Sequence, residues 1–273
     1  MAVQLTDTHC HIQEAWRAVN GQDVTAQKWD KAGRPDVADI IARAHEAGVD
    51  RMLCVGTTLP DSELAVEFVQ DRPECWASIG LHPHEAAVYD GDHTKLSRFA
   101  ALATRPKVVA VGECGLDYFY NHSPKAEQQR ILRFQIELAL KHTMPMIFHV
   151  REAFNDFWPI FDEYEGIRGV IHSFSATTAD LEQIMRRGLY VGLNGIMTFT
   201  KDVQQLDAAK AVPSDRLLLE TDAPFLTPQP FRGTICEPKH VRVTAEFLAE
   251  LRGESFADFA AATTRNAHRL FGL

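Results

Sequence analysis

The stretch VQLTDTHCHI, residues 3–12, decides the fold reading. Its apolar and β-branched residues read as a strand that runs straight into His9-Cys10-His11. An open doubly wound sheet would carry a glycine-rich phosphate loop at this first turn; a pair of imidazoles stands there instead. Alternate residues of a strand point to one face, so His9 and His11 can meet a single ion.

Working outward, seven more short runs repeat the pattern: residues 51–57, 75–82, 107–113, 144–150, 167–173, 189–192 and 216–221. With 3–8 they make eight. They are near-continuously hydrophobic rather than alternating, as parallel strands covered on both faces are. Helical periodicity fills the intervals at 36–47 (stopped by Gly48), 61–70, 125–142, 180–187 and 203–211. Ser123-Pro124 reads as the cap and first turn of the third of these. A proline-rich loop, 223–238, and two closing helices, 240–251 and 255–270, finish the chain. Residues 18–35 form a long polar first loop, a candidate active-site flap. Eight strands alternating with helices over 273 residues predict an α/β protein, one (β/α)8 (TIM) barrel domain spanning 1–273.

Composition narrows the function. The net charge of −9 argues against a broad nucleic-acid-coating surface, which would be basic, but not against one strand end gripped in a pocket. No apolar run approaches the ~20 residues of a membrane helix, and residues 1–11 lack the form of a signal peptide. Five scattered cysteines without a C-x-x-C pair speak for reduced thiols and against a zinc ribbon. The expectation is a cytoplasmic monomer.

Polar, metal-competent side chains recur where the apolar runs end. Glu113 follows VVAVG, His149 follows MPMIF, His172 follows GVI, and Asp222 follows RLLLET. In a barrel those C-terminal ends converge on one mouth, where catalysis sits. One such histidine would be an ordinary core residue; six such side chains on five strands fit a metal centre better. Nitrogen donors with carboxylates suit zinc, manganese or iron. Four histidines and two carboxylates exceed the needs of one tetrahedral ion and imply two. Two divalent ions ~3.7 Å apart repel by about 18 kcal/mol at an effective dielectric of 20, so anionic ligands must offset them.

Taken in order, DTHCHI (7–12), GLHPH (80–84), GECGLDYFY (112–120), His149-Val150-Arg151, HSFS (172–175), NGIMTF (194–199) and ETDAPFL (220–226) resemble the TatD family of metal-dependent deoxyribonucleases. The likeness spans the whole chain, including Arg232-Gly233, Glu237-Pro238 and Asn266 with Leu270-Phe271. It implies a (β/α)8 metallohydrolase with 3′-to-5′ exonuclease activity on DNA, most simply on single-stranded ends. It further implies two divalent ions (zinc, manganese or magnesium). One would lie on His9, His11, Glu113 and Asp222, and the other between Glu113, His149 and His172. Asp222 would also orient or deprotonate the attacking water. Departures from the family pattern fall at Ala176, Asn194, Thr200 and Cys236, none of them a proposed ligand.

Substrate contacts are expected from His82 and His84, which can touch a phosphate or protonate the leaving 3′-oxygen, or else are exposed beside a turn shaped by Pro83. Arg151 shares a strand face with His149 and can hold a phosphate, or else pairs with a carboxylate. Arg232 is a further phosphate candidate. Tyr118, Phe119 and Tyr120 can stack a base, although such clusters are more often local core. Asp7, facing as His9 does, is expected to orient a histidine. Cys10 and Cys114 read as packing. Two alternatives stand beside the nuclease: an amidohydrolase-like enzyme acting on a small ester, amide or phosphoester, and a non-catalytic metal-binding protein. Glu113 stands at the end of the fourth strand, where many small-ester hydrolases of this barrel use a modified lysine.

Overall fold

A computed structural model of the chain describes residues 3–18 and 23–273, so the 19–22 part of the expected flap lies outside the described residues. Eight strands form one sheet in sequence order: β1 (Leu5–Cys10), β2 (Val49–Val55), β3 (Cys75–Ile79), β4 (Val108–Asp117), β5 (Met146–Arg151), β6 (Gly169–Ile171), β7 (Tyr190–Leu193) and β8 (Leu217–Leu219). Their pairings are parallel. The chain leaving β8 runs beside β1: the Asp222 N–H donates to His9 O at 2.8 Å, and the His11 N–H donates to Ala223 O at 2.7 Å. Last strand beside first is the topology of a (β/α)8 barrel.

Two compact units make up the chain, residues 1–54 with 173–273, and residues 55–172. In the first, β1, β2 up to Cys54, β7 and β8 carry helices Val37–Glu46, Thr178–Arg186, Val203–Ala211, Val241–Arg252 and Phe256–Phe271. Helix Val37–Glu46 shows why these form. Asp36 caps it by accepting from Ala38 N at 2.8 Å, and Val37, Ile40, Ile41 and Ala44 make its buried stripe. In the second unit, β3 to β6 pack with helices Leu59–Phe68, Lys125–Lys141 and Phe154–Phe161 over the fully buried Phe68, Phe99, Phe148 and Phe157. Among the described residues no helix is long and apolar enough to cross a membrane.

Several boundaries differ from the sequence reading. Strand β4 runs four residues past Glu113 because Gly115 adopts φ +147°, which favours glycine, and lets β5 pass close by; a Cβ there would strike the His149 carbonyl oxygen. The 18–35 flap contains a helix, Val24–Lys31, capped by Asp23 and anchored by the fully buried Trp29. Helix Phe154–Phe161 was hidden by its internal Pro159. Ser123 is not the cap of helix Lys125–Lys141; its hydroxyl donates to His84 O at 2.7 Å and accepts from Ala87 N at 3.1 Å.

Candidate active site

In the first unit three side chains converge at the end of β1. His9 on β1 and His11 just past its end, both buried, set their Nε2 atoms 3.3 Å apart with rings edge to face. Asp222, just past β8, places Oδ1 at 3.4 Å from His11 Nε2 and 3.7 Å from His9 Nε2. Buried Asp7 fixes this pairing. Its Oδ1 accepts from Thr221 N (2.9 Å) and His9 N (3.2 Å), and its Oδ2 from the Thr221 hydroxyl (2.6 Å). Asp7 therefore holds backbone beside two candidate ligands rather than an imidazole, as the sequence reading had expected. Burial lifts its pKa to about 7 despite those donors. The Trp29 indole N–H donates to His11 O at 3.1 Å, tying the flap helix to the same strand end.

In the second unit Glu113 on β4 is the centre. His149 Nδ1 lies 2.9 Å from its Oε1, His82 Nε2 at 3.4 Å and His172 Nε2 at 3.9 Å. Burial alone would raise the Glu113 pKa, but His82, His149 and His172 together hold it well below the usual carboxylate range. Burial pushes His82 down to about 4 against the pull of Glu113. For His149 burial loses: hydrogen bonds to Asp117 and Glu113 raise it to about 8.

Asp117 was quoted in the sequence motif but not singled out. It is fully buried, and its Oδ2 lies 2.9 Å from His149 Nε2 and 3.0 Å from His84 Nε2. Its Oδ1 accepts from the backbone of Phe119 and Tyr120, both at 3.0 Å. The signal was present: Asp117 stands four residues after Glu113, hence on the same strand face. His82 and His84 are accordingly not exposed turn residues; each faces a carboxylate. Arg151 makes no ion pair among the described residues; its guanidinium lies 4.2 Å from the Phe119 ring centre and 4.7 Å from that of Tyr120. Arg232 lies over Phe199 at 3.9 Å and donates to Thr227 O. Of the departures, Asn194 accepts from Ile196 N and donates to Ser173 Oγ at 2.9 Å, while Thr200 donates to Gln205. Cys10 and Cys114 are buried, with their sulfurs toward the carbonyls of Leu53 and Ile147.

The donor sets fit divalent ions. Ligands ~2.1 Å from a tetrahedral ion stand about 3.4 Å from one another, and His9, His11 and Asp222 keep 3.3, 3.4 and 3.7 Å. One ligand atom from each of His82, Glu113 and His149 also lies within 4.8 Å of the other two.

Comparison with known proteins gives this chemistry a lineage. The family described as TatD related DNase matches residues 6–272. The chain belongs to the TatD family. It is 36% identical over 271 residues to the Bacillus subtilis protein named uncharacterized metal-dependent hydrolase YabD, covering 98% of this chain and 99% of that one. It is 37% identical over 261 residues to the 3′-5′ ssDNA/RNA exonuclease TatD of Cronobacter sakazakii, with 92% and 96% covered. The crystal structure of YJJV, a TatD homolog from Escherichia coli, superposes with a TM-score of 0.84 at 26% identity over the full length of both. A TatD family hydrolase from Entamoeba histolytica shares the fold, with a TM-score of 0.86 at 22% identity over 99% of each chain. This TatD protein is thus a metal-dependent hydrolase by family.

Proposed function

We propose that the whole chain, 1–273, works as one hydrolase domain that removes nucleotides from 3′ ends of single-stranded DNA or RNA, as a cytoplasmic monomer. The observation that carries the reading is the pairing of imidazoles with carboxylates at strand ends in each unit, within a family whose named relatives include 3′-5′ exonucleases. Five free, buried thiols suit a reducing compartment.

His9, His11, Glu113 and Asp222 would hold one divalent ion, and Glu113, His149 and His172 a second, of zinc, manganese or magnesium. Bound there, the ions supply Lewis acidity for the phosphoryl oxygens and acidify water toward a pKa of about 7. The chain's own residues do the rest. Asp222 orients the attacking water and takes its proton at a carboxylate oxygen. Asp7, through Thr221, keeps Asp222 from swinging away. Arg151 and Arg232 present planar cations to phosphates. His82, neutral at pH 7, would offer a phosphate contact, and His84, its Nε2 against Asp117, would hand a proton to the leaving 3′-oxygen. On the fourth strand the position facing His149 holds Glu113, not a lysine, which favours this reading over a small-ester hydrolase.

The test combines metal analysis of the purified protein with hydrolysis of 3′-labelled single- and double-stranded DNA and of a small ester. Expected are about two ions per chain, mononucleotide release from single strands, and an Asp222→Asn variant that binds metal without hydrolysis. Ester cleavage without nucleotide release would overturn the nuclease reading; metal uptake with no hydrolysis of any substrate would leave a binding protein.

A further inference from the structure

The turn after β4 splits the aromatic triad 118–120 into two kinds of residue. Tyr118 is committed internally: its hydroxyl donates to Asp156 at 2.9 Å, accepts from Gln129 at 3.0 Å, and its ring lies 3.9 Å under Lys125 Nζ. Phe119 and Tyr120 instead turn outward, 51% and 50% exposed, with ring centres 4.8 Å apart and planes at 88°. Exposing two adjacent rings forgoes their burial. The turn is nevertheless rigidly built. Asp117 Oδ1 takes both ring residues' N–H groups, the Tyr118 N–H donates to Arg151 O at 3.0 Å, and Gln128 donates to the carbonyls of Asp117 (3.1 Å) and Ser123 (2.8 Å). Rings held in place before a ligand arrives lose little freedom when it binds.

A single exposed cation, the Arg151 guanidinium, sits over both rings. Arg151 follows His149 by two residues on β5, and the Tyr120 ring centre is 5.5 Å from that of His84. Flat apolar faces, a planar cation and the Glu113 cluster are thereby joined through one buried carboxylate, Asp117, which binds His149 and His84 on one oxygen and the turn on the other.

We infer that Phe119, Tyr120 and Arg151 form a base-stacking and phosphate-holding subsite for single-stranded nucleic acid, indexed to the Glu113 cluster by Asp117. Base faces stack on exposed aromatic rings whatever their sequence, and the guanidinium neutralises the neighbouring phosphate. An unpaired strand suits the subsite, because each of its bases can offer a face, whereas a duplex exposes only the outer face of its terminal pair. The inference deepens the proposed nuclease reading and rests on it for the identity of the ligand.

The experiment measures binding apart from cleavage. A short 5′-fluorescein-labelled thymidine oligonucleotide and its counterpart with an abasic 3′ segment are titrated into the protein by fluorescence anisotropy, with divalent ions chelated so that strands stay intact. Wild type is expected to prefer the base-bearing strand by about tenfold, as loss of stacking predicts. Phe119→Leu/Tyr120→Leu, at two exposed positions, should erase that preference while keeping the same melting temperature. Arg151→Gln should shrink the slope of log affinity against log salt by about 0.7, one phosphate's share on a single strand. An unchanged preference in the double variant, or a wild type indifferent to the bases or unable to bind the strand, overturns the subsite. Base-dependent binding by a metal-loaded protein that then releases no nucleotides supports the subsite and sinks the nuclease reading, so the two failures are separable.

Discussion

Replacing Asp117 by Asn keeps the side chain's shape and removes its charge, and the structure fixes how the cost should vary with pH. In the ion-free protein the His149 pKa rises from 6.5 to about 8 because hydrogen bonds to Asp117 and Glu113 outweigh burial. A raised histidine pKa stabilises the folded state fully below 6.5, and that stability is lost as pH climbs through 8. A difference of about 1.5 units corresponds to about 2 kcal/mol. Two carboxylates share it, so Asp117→Asn should forfeit about half, near 1 kcal/mol. A pH-independent part adds to this, because the new amide must face two Nε2 atoms where a carboxylate stood. Urea denaturation of both proteins in EDTA, near pH 6 and near pH 9, reads the effect. The variant should be destabilised at both, by about 1 kcal/mol more at the lower pH. An equal loss at the two pH values, or a larger one at the higher, would refute the account of Asp117 as the partner that holds His149 protonated.

Three other outcomes follow from single contacts. Trp29→Phe keeps a buried ring but removes the indole donor to His11 O, leaving only the Glu14 N–H at 3.3 Å, and should lower stability by about 1 kcal/mol in a thermal melt. Gly80→Ala would drive a Cβ into the Glu113 backbone nitrogen and the Gly112 carbonyl carbon, neither able to yield. A loss of about 3 kcal/mol or more, read by chemical denaturation, is expected, against only about 1 kcal/mol for Ala at the exposed Gly91, which has open space around it and carries only the strain of its φ of +78°. The five cysteines are free and buried, so a thiol reagent such as DTNB should label the native protein slowly and all five sites once it unfolds.

Legibility in the sequence followed the range of the interactions involved. The strand at residues 3–8 and the imidazole pair beside it could be read because alternation along a strand is a local property. Glu113, His149, His172 and Asp222 could be read because each follows directly on an apolar run. Asp117 could not be placed the same way. The apolar run ends at Gly112, and the glycines of GECGLD look like a break, whereas in three dimensions Gly115 is what allows the strand to continue against β5. Asp7 was legible in direction but not in partner, because Thr221 lies 214 residues away and meets it only once the end of β8 lies beside β1. The flap helix was missed for a related reason: Trp29 is its one large apolar anchor, and its partner is the His11 backbone carbonyl just past β1.

The residues that escaped the sequence reading share a physical task. A parallel ladder ends where the strands end, and backbone groups there lose their partners just where catalytic side chains must be aimed. Water could satisfy those groups, but at the cost of letting the strand ends move. Buried polar side chains occupy the positions instead, each gripping the backbone next to a candidate site residue. Gln135 binds both the N–H and C=O of Leu81, before His82. Gln128 binds both those of Asp117, and Ser62 both those of Gly80. In the first unit Asp7 takes the N–H of His9 and Thr221, and Glu220 takes the Ser173 N–H beside His172. A glutamine in a helix or a serine near its start carries no catalytic signature in sequence, since its function is defined by a main-chain atom on another element. Such residues reach the chemistry only through geometry, by fixing where an imidazole or carboxylate can point to within the fraction of an ångström that coordination or proton transfer tolerates.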